Sequence, residues 1–222
     1  MNSFTSYQFP NPYPPNQDPL SHLEFPIDQW FLGLRIGYND RWWSAQCEGW
    51  TNVSRESGSR MQDSDWDDEQ RPNQKTIFSE SKCRLNEGRL IDACVALGPA
   101  LKELLNLRPV VGYRYQRFHF TTYDGFQAEL AGDAGNLPGD GIEFEQTFYH
   151  IYFGAKINDR LVLATLSDRL PEIQLLLQID YAGVVAKNED LHLLRIGDRV
   201  TTQNTRGHCW HAAFGAGIKI QD

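Results

Sequence analysis

The 222-residue sequence predicts an all-β protein: an antiparallel transmembrane β-barrel with long loops on one rim, partial or incompletely closed. Three observations carry this. Most runs between turn signals alternate with period two, one side apolar and the other small or polar. Tryptophan and tyrosine gather near the ends of these runs, as an interfacial girdle requires. Long polar connections alternate with short ones, so the long ones should emerge at one end.

In chain order, six of the 11 prolines precede residue 27 (Pro10, Pro12, Pro14, Pro15, Pro19 and Pro26), so residues 1–27 read as an irregular, proline-rich arm before a barrel domain over 28–222. The first strand runs from Trp30 to Tyr38, setting Leu32, Leu34 and Ile36 against Gly33, Arg35 and Gly37. Asn39-Asp40 turns the chain into a second, Trp42 to about Val53, with Trp43, Ala45 and Cys47 opposite Ser44, Gln46 and Glu48. Ser54 to Gln74 reads as a long polar loop, the kind that carries function in a compact chain.

Thr76–Leu97 and Val110–Thr122 are the next strands, with a short helical turn over Ala100–Asn106 between them and a glycine-rich loop, Gly132–Gly141, after them. Glu143–Ile157 and Ile173–Val185 follow, joined through a turn at Asn158-Asp159-Arg160 and an interruption at Asp168–Pro171. A third polar loop spans Ala186–Asn204, and His208–Ile220 closes the chain as the seventh strand. The apolar sides of these strands, among them Leu32, Leu34, Ile36, Leu175, Leu177, Phe214 and Ile218, are expected to face lipid, and Arg35, Gln178 and Lys219 to face inward. Trp30, Trp42, Trp43, Trp50, Tyr113, Tyr149, Tyr152, Tyr181 and Trp210 form the expected girdle. A soluble barrel or sandwich with one wet face is the competing architecture.

A formal charge of -8 without a lysine- or arginine-rich run excludes the electrostatic footprint of a nucleic-acid binder and suits cationic peptides better. Cys47, Cys83, Cys94 and Cys209 lie far apart with no C-x-x-C pair, which speaks against zinc-finger and thioredoxin chemistry and for packing roles. Met1 is followed by polar, proline-rich sequence in place of a signal region, so the reading is a cytosolic chain or a processed or partial exported one.

Two short stretches hold the chemistry. In extended chain, residues two apart share a side, so Asp63 pairs with Asp65 and Asp190 with His192. Brought face to face, two carboxylates would oppose a histidine whose tautomer a neighbouring aspartate fixes, a set suited to activating water. Alone, Asp63 to Asp68 would be a solvated acidic turn; a calcium loop lacks the glycine and distal glutamate of an EF-hand. His208 and His211 fall on opposite strand faces, which disfavours a metal.

Asp63-Ser64-Asp65-Trp66 and Asp190-Leu191-His192, in this order and strand context, resemble the Asp-x-Asp-Trp and Asp-x-His motifs of the omptin family of outer-membrane proteases. Ser21-His22-Leu23-Glu24, Gly112-Tyr113 with Arg117, and Glu145-Gln146-Thr147-Phe148 extend the likeness. The resemblance implies a closed outer-membrane barrel with its active site on the extracellular rim. By the same resemblance Asp63, Asp65 and His192 would hold the attacking water, and Asp190 would orient His192, with no acyl-enzyme, metal or cofactor. Asn188 and Glu189 would contact a peptide or protein substrate; Asn188 stands where the family carries an acidic residue. Tyr113 and Arg117 would contact outer-membrane lipid, with lipopolysaccharide the candidate. Two other readings stay open: a non-catalytic barrel of the same fold acting as adhesin or receptor, and a soluble lipocalin-like carrier.

Overall fold

The computed structural model describes residues 3–11, 13–14, 16–40, 42–98, 107–161, 172–194, 197 and 199–219. Side chains are described for these except 158–161, 172–175 and 217–219, so Leu175, Ile218 and Lys219 lie outside the described side chains, as the helical turn at Ala100–Asn106 and the Asp168–Pro171 interruption lie outside the described residues. Ten strands form one antiparallel sheet: β1 Phe4–Phe9, β2 Ser21–Pro26, β3 Phe31–Asn39, β4 Trp43–Asn52, β5 Glu56–Asp65, β6 Ile77–Leu97, β7 Leu107–Glu129, β8 Ala134–Leu161, β9 Glu172–His192 and β10 Arg199–Lys219. The sheet curls into a half-barrel, and no ladder joins β1 to β10 among the described residues.

The register explains how seven expected strands become ten. β6 is tall enough to pair with β4 along its second half (Trp43↔Leu97 to Thr51↔Arg89) and with β5 along its first (Glu56↔Arg84 to Asp65↔Ile77), so β4 and β5 are successive lengths of one climbing strand. β2 lies above β3 in the same way, one paired with β5 and the other with β4. The three added strands, β1, β2 and β5, stand in the upper part, above the apolar band.

Five expectations therefore need correction. The irregular arm of residues 1–27 contains β1 and β2, and Tyr7, Leu23 and Phe25 are core residues. The polar segment Ser54–Gln74 is half strand, β5, and the motif of Asp63 lies on it, not in a loop. Gly132–Gly141 and the start of Ala186–Asn204 also belong to ladders: β7 pairs with β8 up to Ala128↔Ala134, and β9 runs to His192. Ladder bonds are made by backbone, so polar and glycine-rich sequence joins them as readily as apolar sequence once a neighbouring strand is in register. Asn158-Asp159-Arg160 likewise continues β8 against β9 instead of turning.

Two faces result. In the lower half the outer face carries Leu32, Leu34, Ile36, Ile91, Val95, Val111, Ile151, Phe153 and Ile179, with Trp30, Trp42, Tyr113 and Trp210 among them, all exposed. Leu34 is 72% and Phe214 75% exposed while Gln178 is buried, the inside-out order of a lipid-facing wall. Cys47 is exposed on this wall and does not pack in a core. Above the band the outer face is ionic, with Lys82 against Asp124 and Arg84 against Asp140, so the upper half stands clear of the hydrocarbon.

Inside, the two halves differ again. The lower lumen is polar: Arg114 bonds Asp92 at 2.7 Å, Tyr152 donates to Asp92 at 2.6 Å, and Asp180 accepts from Gln178 at 2.9 Å and meets His211 at 3.0 Å. Tyr152 and Trp50 thus leave the expected girdle and face inward. Each lies over a cross-strand glycine, Tyr152 over Gly112 and Trp50 over Gly33, where an added Cβ would come 2.3 Å from the ring. The upper lumen is filled by an aromatic core of Tyr7, Phe25, Phe118, Phe120 and Phe144 with Leu23, Met61 and Leu85. Phe25 stacks on Phe144 with centroids 4.3 Å apart.

Candidate active site

Above the upper core stand two walls, the tops of β5 and β9, which carry the two motifs. Alternation along β5 places Met61, Asp63 and Asp65 on one face, and along β9 it places Asn188, Asp190 and His192 on the inner face. The β1–β2 hairpin sits between these walls. Through it the row Tyr7↔Leu23↔Asp63 runs from β1 to β5, while β1 also touches β8, where Thr5 Oγ1 donates to Gln146 Oε1 and Tyr7 packs on Phe144. The hairpin that sequence reading left out is therefore what brings the two walls together.

His192 Nε2 lies 3.1 Å from Asp190 Oδ2. A carboxylate only accepts, so Nε2 carries the proton and Nδ1 is left as the basic nitrogen. Asp190 is fully buried, its second oxygen without a bonded partner among the described residues. Asp63 accepts from Ser21 Oγ at 3.3 Å. Its carboxyl is pushed up to about 7, first by burial and then by the neighbouring Asp65 and Asp190, against the opposing pull of His192 and the Ser21 bond. Those influences place all four groups, Asp63, Asp65, Asp190 and His192, in one electrostatic cluster at one end of the sheet. Asp65 ends β5, where its backbone carbonyl accepts from Thr76 N at 2.8 Å and Thr76 Oγ1 at 3.0 Å, pinning the strand end beside the outer loop. In that loop Lys75 lies over the rings of Trp66 and Phe78.

The remaining candidates separate. Asn188 faces inward and buried, donating to Gln203 Oε1 at 3.2 Å. Glu189, expected to line the substrate cleft, is exposed on the outer face, because one residue along a strand reverses the side chain's direction. Tyr113 and Arg117 share the outer face of β7, Tyr113 within the apolar band and Arg117 above it, bonded to Glu145 at 2.8 Å with Glu87 at 3.7 Å. Among the described residues no group of three or more His, Cys, Asp or Glu is disposed to hold a metal ion. Ser21 and Tyr7 join the site from outside the two motifs: the first lies in Ser21-His22-Leu23-Glu24, whose sequence assigns it no chemical role, and the second carries no sequence signal inside a proline-rich arm.

The family model of the omptins matches residues 15–206. The chain belongs to the omptin family. This omptin is accordingly an outer-membrane protein with the antiparallel barrel-type sheet seen in its strands. Its structure is similar to the crystal structure of the outer membrane protease OmpT from Escherichia coli, with a TM-score of 0.77, 22% identity, and coverage of 90% of this chain and 68% of that one. At that identity the likeness speaks to the fold. No curated protein matches the chain in sequence.

Proposed function

We propose that this omptin is an outer-membrane endopeptidase that hydrolyses peptide bonds with a water held between the Asp63–Asp65 pair and the Asp190–His192 pair. The observation that carries the reading is the His192–Asp190 contact at 3.1 Å beside a carboxyl, Asp63, held partly protonated near neutrality. Neutral His192 takes a proton from the water as it attacks the scissile carbonyl, and the buried Asp190 carboxylate stabilises the imidazolium that forms. The aspartate pair, sharing one proton between two close carboxyls, hydrogen-bonds the oxygen on which negative charge develops. Collapse of the tetrahedral intermediate returns the proton from His192 to the departing amine, so the group that began as base ends as acid.

No side chain becomes acylated in this scheme. The acidic cluster favours substrates with cationic side chains, with Asn188 beneath Asp190 and Glu189 on the outer face beside it as candidate contacts to them. Tyr113 and Arg117 are candidates for contact with outer-membrane lipid, lipopolysaccharide included, since both lie on the outer face of β7, Tyr113 within the apolar band and Arg117 above it.

The test is cleavage of a panel of cationic peptides by the refolded chain in detergent with lipopolysaccharide, compared with His192→Ala. Loss of most cleavage in a folded variant, ~10²-fold or more, is expected. A His192→Ala variant cleaving at the parent rate would overturn the assignment.

A further inference from the structure

Tyr7 is a buried phenol that the scheme above leaves without a task. It is 2% exposed, and its hydroxyl has no bonded partner among the described residues. Leaving a buried hydroxyl unpaired is costly, so its surroundings are informative. The Tyr7 ring packs on Phe144 with centroids 5.4 Å apart, and Phe144 is the register partner of Asp190 on the adjoining strand, both side chains pointing inward. Tyr7 therefore stands over the pair of positions that includes the aspartate orienting His192. Asp190 has one oxygen on His192, and the other, Oδ1, is the second buried polar atom here without a bonded partner.

Resting on the reading of function given above, we propose that Tyr7 is a positioning residue whose hydroxyl donates through one bridging water to Asp190 Oδ1, and so locks the carboxylate that orients His192. The two orphaned atoms answer each other: a phenol needs an acceptor, and an ionised carboxylate with one occupied oxygen needs a second donor. Burial pushes the phenol up to about 12, with Asp190 the next cause and Arg199 opposing, so it remains a donor throughout the working range. β1 then has a role beyond filling space. Thr5 and Tyr7 both face the β8 wall, and Gln146 Nε2 also reaches the Ser6 carbonyl at 3.4 Å, so the strand is strapped at the height that presents the phenol to Asp190.

Tyr7→Phe keeps the ring on Phe144 and removes the hydroxyl alone. With the full chain refolded in detergent, the variant should lower kcat roughly tenfold or more, the scale of one hydrogen bond to a charged group, with KM unchanged. In a second arm, protein labelled with 13C at tyrosine Cζ is compared with its Asp190→Asn counterpart, the Tyr7 resonance being assigned by its loss in Tyr7→Phe. The Tyr7 signal should move when Asp190 loses its charge. An unmoved Tyr7 signal overturns the contact, and an unchanged kcat in Tyr7→Phe overturns its role. A parent chain without peptidase activity would sink the functional reading, while the resonance still decides the contact.

Discussion

Ser21 Oγ donates to Asp63 Oδ1 across 3.3 Å, tying β2 to the strand that carries the aspartate pair. His192 and that bond favour the ionised carboxylate, whereas burial, Asp65 and Asp190 oppose it, and the opposition prevails. Asp63 is thus a strained group, retained where charge is least welcome, as groups at reaction sites commonly are.

The strain has a stability signature. A carboxyl raised from 3.8 to about 7 is ionised in the unfolded chain at pH values where the folded one still holds its proton, so folding loses stability as pH rises through that window. The full penalty, on the order of 4 kcal/mol, applies above pH ~7 and vanishes below pH ~4. Asp63→Asn should therefore raise the melting temperature at pH 8 and leave it near the parent value at pH 3.5. Parallel melting curves in detergent check this, and an equal effect at both pH values would count against a raised carboxyl.

The same group shapes the activity profile. If the aspartate pair works with one shared proton, peptide cleavage should decline as pH rises through about 7, where Asp63 gives up its proton. Asp65→Asn removes a carboxylate that holds Asp63 up, so whatever activity remains should decline at lower pH. Rate profiles of the two proteins from pH 5 to 9 decide it; coincident alkaline limbs would assign the limb to another group.

The lipid-facing wall is tested by charge. Ile151 and Phe153 project outward from β8 in the middle of the apolar band, and replacing either by Lys should cost ~2–4 kcal/mol of insertion free energy. The expected result is a reduced folded fraction in bilayer vesicles by gel mobility. Gln62→Lys, on the outer face of β5 above the band, should have little effect.

Close packing in the lower lumen gives a fourth expectation. A Cβ at Gly112 would meet the Tyr152 ring at 2.3 Å and the Ala93 carbonyl at 2.7 Å, so Gly112→Ala must move Tyr152 off Asp92. Overpacking of this kind costs ~1–3 kcal/mol. Chemical denaturation of the variant beside Tyr152→Phe, which loses the bond without the clash, separates the two contributions.

The membrane wall was legible in the sequence because lipid selects side chains at every second position. Leu32, Leu34, Ile36 and Phe214 alternate with small or polar residues for that reason, and the pattern survives wherever bilayer lies outside and a polar lumen inside. The two site motifs were legible for a related reason: strand geometry puts residues two apart on one side, so Asp63 with Asp65, and Asp190 with His192, were pairs before any fold was known.

Tertiary structure alone decided what joins those pairs. Above the band neither face of the sheet meets lipid, so alternation fades: β1, β2 and β5 are held by backbone ladders and by an aromatic core filling the lumen, and their sequences read as arm and loop. The outward turn of Glu189, the Ser21 bond to Asp63 and the seating of Tyr7 over Phe144 beside Asp190 depend on register across strands distant in sequence. Side-chain pattern records the solvent a residue faces; it carries no record of which distant strand stands opposite, because that choice is made by main-chain hydrogen bonds common to every residue type.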